Sequence, residues 1–178
     1  MFRVLPFLWL LCAPLAALAT PVVTHPFSVQ DLLAMDRLSA PQVSPDGQLV
    51  VFVLSCTDLE GNRRRTDLWL VGAGGSGLRP LTSHEAGDSD PRWAADGLSI
   101  WFLSSRSGTS QVWRIPVGGG EAEQVTRLPL DVNAFRVTPD DAQLVVAMEV
   151  FPGDGLEETR KRLDALAETE KSGPSGKL

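Results

Sequence analysis

Chemistry in this 178-residue sequence would have to come from a short set of side chains. Gly72-Ala73-Gly74-Gly75-Ser76-Gly77 matches G-x-G-x-x-G behind an apolar run, the pattern that seats a pyrophosphate on a helix N-terminus. That use needs a helix at once. Leu78-Arg79-Pro80-Leu81 follows instead, and Pro80 has no backbone donor to give. Gly118-Gly119-Gly120 occupies the same place in an internal repeat, so both stretches are expected to be hairpin turns. Ser76 fails as a nucleophile because Gly74-Gly75-Ser76-Gly77-Leu78 lacks the last glycine of G-x-S-x-G. His25 and His84 have no acid or cysteine at ligand spacing, which argues against a catalytic base or a metal ligand. Arg63-Arg64-Arg65 is expected to be a solvated run in a loop, with contact to an anion or partner as its other use. Asp88, Asp90 and Asp131 precede strands, where turn or cap duty is expected rather than a calcium cage. The expectation is therefore no catalytic residue, no cofactor-binding residue, no metal ligand and no cofactor.

The elements that would position these side chains come from a motif that appears three times. Pro41-Gln42-Val43-Ser44-Pro45-Asp46-Gly47, Pro91-Arg92-Trp93-Ala94-Ala95-Asp96-Gly97 and Phe135-Arg136-Val137-Thr138-Pro139-Asp140-Asp141 are each followed by a strand, at 49–54, 98–103 and 144–148. These strands are nearly continuous apolar runs, as expected where both faces are covered. Proline presets the turn and glycine supplies φ > 0; Asp141, in place of glycine, enters that region at some cost. Asp67-Leu68-Trp69-Leu70-Val71 then matches Gln111-Val112-Trp113-Arg114-Ile115, and Arg79-Pro80-Leu81-Thr82 matches Glu123-Gln124-Val125-Thr126.

Asp46 to Asp96 is 50 residues, whereas Trp69 to Trp113, Thr82 to Thr126 and Asp96 to Asp140 are each 44. One six-residue insertion explains the difference, and it is expected to enlarge the hairpin loop at 58–65. A period near 44 with four short strands per unit predicts an all-β fold: an incomplete β-propeller with short N-terminal and C-terminal helices. A β-sandwich is the rival, but it has no reason to repeat tryptophan and threonine at a fixed offset. Trp69, Trp93, Trp101 and Trp113 are expected in the blade core.

Outside the repeat, Arg3 precedes an apolar run ending in Ala17-Leu18-Ala19, which predicts a signal peptide at 1–19. A membrane anchor and a lipoprotein cysteine at Cys12 are the weaker uses of that segment. An extension at 20–40 holds a helix over 29–37 capped by Ser28. Blades follow at 41–90, 91–133 and, in part, 134–151. The remainder, 152–178, is a charged helix to about residue 171 and a linker-like tail. Asp154 is its expected N-cap, Leu156, Leu163, Leu166 and Ala167 form an apolar stripe, and Glu157 with Lys161 and Glu158 with Arg162 form i,i+4 pairs. The net charge of −6 argues against nucleic acid as a partner. Cys56 alone survives processing, so no disulfide is expected within the mature chain.

Phe27-Ser28-Val29-Gln30-Asp31-Leu32-Leu33, Arg37-Leu38-Ser39 and the Ser-Pro-Asp-Gly repeats resemble the amino-terminal region of exported bacterial serine peptidases of the prolyl oligopeptidase family, in the acylaminoacyl-peptidase or dipeptidyl-peptidase-like branch. The resemblance implies a propeller that filters peptide substrates toward an α/β-hydrolase domain with a Ser-Asp-His triad, none of which falls on a residue of this sequence. It implies a secreted or periplasmic location with no membrane attachment after signal removal. Similar repeats occur in periplasmic TolB-like proteins, which implies the alternative of a protein-binding module in the envelope. A stand-alone scaffold propeller of another kind is a third use. Two blades and part of a third also leave open sheet edges and uncovered faces, which predicts association or poor solubility.

Overall fold

A computed structural model describes residues 25–59 and 61–172. The first sheet has the order β1 (Arg37–Val43), β2 (Leu49–Asp58), β3 (Arg63–Gly72), β4 (Arg79–Pro80), and the second repeats it with β5 (Asp88–Trp93), β6 (Ser99–Ser104), β7 (Gln111–Pro116) and β8 (Glu123–Gln124). A third sheet pairs β9 (Ala134–Val137) with β10 (Leu144–Ala147). All pairings are antiparallel. Helices α1 (Val29–Ala34) and α2 (Leu156–Ser172) flank the sheets. This is the incomplete β-propeller that the 44-residue period predicts.

The repeated turn is the same object three times. The backbone N–H of Ser44, Ala94 and Thr138 donates to the carbonyl of Leu49, Ser99 and Gln143, at 2.8, 2.9 and 2.9 Å. Gly47 and Gly97 sit at φ +74° and +68°, and Asp141 takes the same place at +55°. In the first and third copies a hydroxyl also donates to the turn carboxylate, Ser44 to Asp46 and Thr138 to Asp140, at 2.5 Å each. Those hydroxyl bonds, followed by backbone donors from Gln48 and Ala142, hold both carboxyls below the usual carboxylate range. Ala94 cannot make such a bond, and the second turn is closed by backbone donors: Ala94 N to Ser99 O at 2.9 Å, Gly97 N to Ala94 O at 3.0 Å and Leu98 N to Asp96 Oδ1 at 2.8 Å.

A feature that the sequence marks only by a proline inside each strand precedes these turns in the first two sheets. The ladder slips between Ser39 and Gln42 and again between Ser89 and Arg92, with Ala40 and Asp90 both at φ +48°. Pro41 and Pro91 lie inside these bulges, where no ladder donor is required. Phe135 stands at that position in the third sheet, which pairs in unbroken register.

The sheets stack face to face. Val51, Val53, Leu68, Leu70 and Leu81 of the first meet Ile100, Phe102 and Ile115 of the second, with Trp93 and Trp113 packed alongside. Ala94, Trp101, Leu103 and Val112 on the opposite face of the second sheet meet Val132 and Phe135 with Leu144, Val146 and Met148. Trp69 is half-buried and belongs to neither cluster, so the expected tryptophan core holds for three of the four. Polar links cross the same seams. Trp93 Nε1 donates to Gln42 O at 3.0 Å, Ala95 N to Asp141 Oδ2 at 2.8 Å, and Arg79 Nη2 to Val117 O.

Several expectations need correction. The insertion does not make a large loop: β2 and β3 run to Asp58 and from Arg63, adding four rungs, Ser55 with Thr66 to Asp58 with Arg63, beyond Leu54 with Asp67. The counterpart ladder in the second sheet stops at Ser104 with Gln111. Helix α1 keeps its Ser28 cap, in a reciprocal box with Asp31, but ends at Ala34 because β1 begins at Arg37. Helix α2 begins at Leu156, so Gly155 holds the cap position, its carbonyl accepting from Thr159 N at 3.0 Å. Asp154 instead pairs with Arg162 at 3.5 Å, and Arg162 covers the Phe151 ring. Among the described residues the i,i+4 ion pair of this helix is Arg160 with Asp164. Leu163 and Leu166 remain exposed at 43% and 51%. The signal peptide and most of the tail lie outside the described residues.

Candidate functional site

The most developed polar arrangement sits at the seam between the first two sheets. Asp88 opens β5 and is fully buried. Arg106, on the β6–β7 connection, donates through Nη2 to both Asp88 oxygens at 2.8 Å and through Nε to Ser104 Oγ at 2.9 Å. Its guanidinium lies 5.3 Å from the centre of the Phe102 ring and 5.1 Å from that of Trp113. The pair is thus hydrogen-bonded and stacked as well as opposite in charge, the condition under which a buried ion pair is tolerated. Asp88 is therefore neither turn nor cap. Nothing near it in sequence announces Arg106, because the two meet only across the β5–β6 ladder.

Beside this pair a cleft of about 390 Å3 is lined by Thr82, His84, Arg106, Trp113, Glu121 and Ala122 among others. Its lining mixes polar side chains with Leu81, Ile115 and the Trp113 ring. Asp67 lies behind it with Oδ1 unbonded. Burial pushes the Asp67 carboxyl above its usual range, against the pull of Arg65 and with the Asp88 charge adding to the rise. The cleft offers hydrogen-bond donors and a ring to stack on. It holds no nucleophile with an adjacent base.

The other candidates have structural partners. Gly72 N donates to Ser76 O at 2.8 Å, closing the turn between β3 and β4, with Gly75 and Gly77 at positive φ. Gly118-Gly119-Gly120 fills the matching turn after β7. His25 contacts Pro26 O at 2.9 Å and Asp31 at 3.5 Å, and His84 Nδ1 accepts from Ala86 N at 3.0 Å. The two histidines are not brought together. Arg63 pairs with Asp58 at 3.1 Å and Arg65 with Asp67 at 3.8 Å, both as strand residues of β3 rather than loop residues. Asp90 accepts from Arg92 at 2.6 Å within β5, and Asp131 accepts from Ser110 N at 2.5 Å. Cys56 is a free thiol, raised above its usual range first by its hydrogen bond to Asp36 and then by burial. Among the described residues no group of three or more His, Cys, Asp or Glu side chains could hold a metal ion. No helix among them is long and apolar enough to cross a membrane.

The model of the TolB beta propeller domain family matches residues 33–152. The chain is 30% identical over 136 residues to dipeptidyl-peptidase 5 of Porphyromonas endodontalis, covering 76% of this chain and 20% of that protein. It is 28% identical over 135 residues to the uncharacterized peptidase YuxL of Bacillus subtilis, covering 75% of this chain and 20% of that protein. Among solved structures, an acylaminoacyl peptidase from Pyrococcus horikoshii superposes with a TM-score of 0.55 at 20% identity, over 70% of this chain and 20% of that one, which is a likeness of fold. The chain spans about a fifth of the length of the curated relatives it matches.

Proposed function

We propose, from the premise that this chain belongs to the TolB β-propeller domain family, that it is the substrate-gating part of an exported serine peptidase acting on short peptides. Catalysis in this reading is acyl transfer through a serine ester, carried by residues of a separate hydrolase domain. The observation that carries it is the pair of peptidase relatives, each aligned over three quarters of the chain. The physical support is the stack itself. Sheets locked by two apolar clusters and by seam bonds form a rigid wall, and a rigid wall admits extended peptides while refusing folded chains. Export follows from residues 1–19, and mass spectrometry of the mature protein should find Thr20 at its start.

The gating role is tested by titrating isotope-labelled chain with unblocked short peptides and, separately, with folded envelope proteins, while following backbone resonances. Peptides should move signals of β1, β5 and β9. Shifts caused only by a folded protein would overturn the gate and favour the alternative, a TolB-like protein-binding module, which the family match itself supports.

A further inference from the structure

The first strands of the three sheets, β1, β5 and β9, each stand at one edge of their sheet. Seam contacts set them side by side: Trp93 Nε1 of β5 donates to Gln42 O of β1, and Asp90 of β5 meets Arg136 of β9 at 3.9 Å. One position repeats along all three, where Gln42 pairs with Val51, Arg92 with Trp101 and Arg136 with Val145 across the ladder. Two residues earlier stand Ala40, Asp90 and Ala134. The row thus holds two arginines and one acid, and the acid lies in the bulge of β5.

Asp90 answers that charge incompletely. Its Oδ1 accepts from Arg92 Nη2 at 2.6 Å, and its Oδ2 lies 3.9 Å from Arg136 Nη1, which donates to Phe135 O at 2.6 Å. A guanidinium carries five N–H donors in a planar fork. Among the described residues Arg92 Nη1 and Arg136 Nε and Nη2 have no hydrogen-bond partner, and Arg92 Nε is enclosed without one. One carboxylate between two guanidiniums leaves a surplus of positive charge, in a chain whose net charge is −6. The complement to such a pair is a second carboxylate, which accepts parallel N–H bonds from one fork. A neutral amide has a single acceptor oxygen and no charge to offer.

We infer that Arg92 and Arg136, braced by Asp90, form a carboxylate clamp on the gate, so that the gate favours peptides that bring a terminal or side-chain carboxylate. This inference rests on the gate reading and adds to it a preference in charge. The contacts that build the clamp join the second sheet to the third, and Gln42 continues the row onto the first with a neutral amide.

Titration of the isotope-labelled full chain with four N-acetylated peptides of one length tests this: tetra-alanine with a free C-terminal carboxylate, its amide, and that amide with one internal Glu or one internal Gln. The free acid should bind about tenfold more tightly than its amide where the clamp reads chain ends, and the Glu peptide about tenfold more tightly than the Gln peptide where it reads side chains. Either gain supports the clamp and identifies the source of the carboxylate. Arg136→Gln and Arg92→Gln should each abolish most of that gain and leave the affinity of the plain amide unchanged. Arg136→Lys, which keeps the charge and loses the fork, should retain part of it. Circular dichroism should match the parent, and the Arg136 variants suffice if Arg92→Gln alters the spectrum. A parent that binds all four peptides with no gain for either carboxylate would overturn the clamp and leave the gate standing, and so would a gain that survives the arginine variants. No shift with any of the four would overturn gate and clamp together.

Discussion

The hydroxyls of Thr82 and Thr126 accept from the backbone N–H of Leu68 and Val112 at 2.9 Å each, which is why threonine returns at a fixed offset. Thr126 also donates to Gln111 Oε1 at 2.8 Å, and Gln111 in turn donates to the carbonyls of Leu128 and Leu130. Thr126→Val should therefore destabilise the chain by about 1 to 3 kcal/mol, the usual cost of stranding buried polar groups, measured by urea unfolding. Asp67 stands at the position of Gln111 one repeat earlier, and an ionised carboxylate cannot donate as that amide does. Its folded value lies above the ordinary 3.8. The contribution of such a group is full below its unfolded value and is lost as pH rises through the folded one. Asp67→Asn should accordingly melt at a higher temperature than the parent near neutral pH. The two curves should converge as the pH falls below about 4.

At the scale of the element, Asp141 shows a turn residue under two opposing demands. Its left-handed φ is free to glycine and costs aspartate something, though less than most side chains, while its carboxylate gives Ala95 N an acceptor across the seam. Asp141→Gly removes both and should leave stability nearly unchanged. Asp141→Ala keeps the strain and loses the bond, so it should unfold at lower denaturant, by about 0.5 to 1.5 kcal/mol. The sequence made these turns legible because Pro, Asp and Gly act through local backbone chemistry. It also placed the insertion, but not its form, since strand pairing at Asp58 with Arg63 depends on the partner strand and not on residue type. Pro41 and Pro91 were the available signal for the bulges at Ala40 and Asp90, whereas the pairing of Asp88 with Arg106 was hidden because it is decided across a ladder. The cap of α2 moved by one residue because Asp154 found a partner in Arg162.

For the whole molecule, Phe102 is the centre of the first cluster, fully buried between two sheets. Phe102→Ala should cost about 3 to 5 kcal/mol. The loss should appear in a single transition, because the first and second sheets share that core. Trp69 reports from the first sheet and Trp113 from the second. Single-tryptophan variants retaining one or the other should melt together, and separate midpoints would show that the sheets are independent. The long β2–β3 ribbon stands apart from this coupling. It grows only from its tip, and every two residues added there lay one further rung without disturbing any already made. The length of that arm is thus free to change by insertion while the core behind it stays in register, and a peptide tag could be carried there at little expense to the fold.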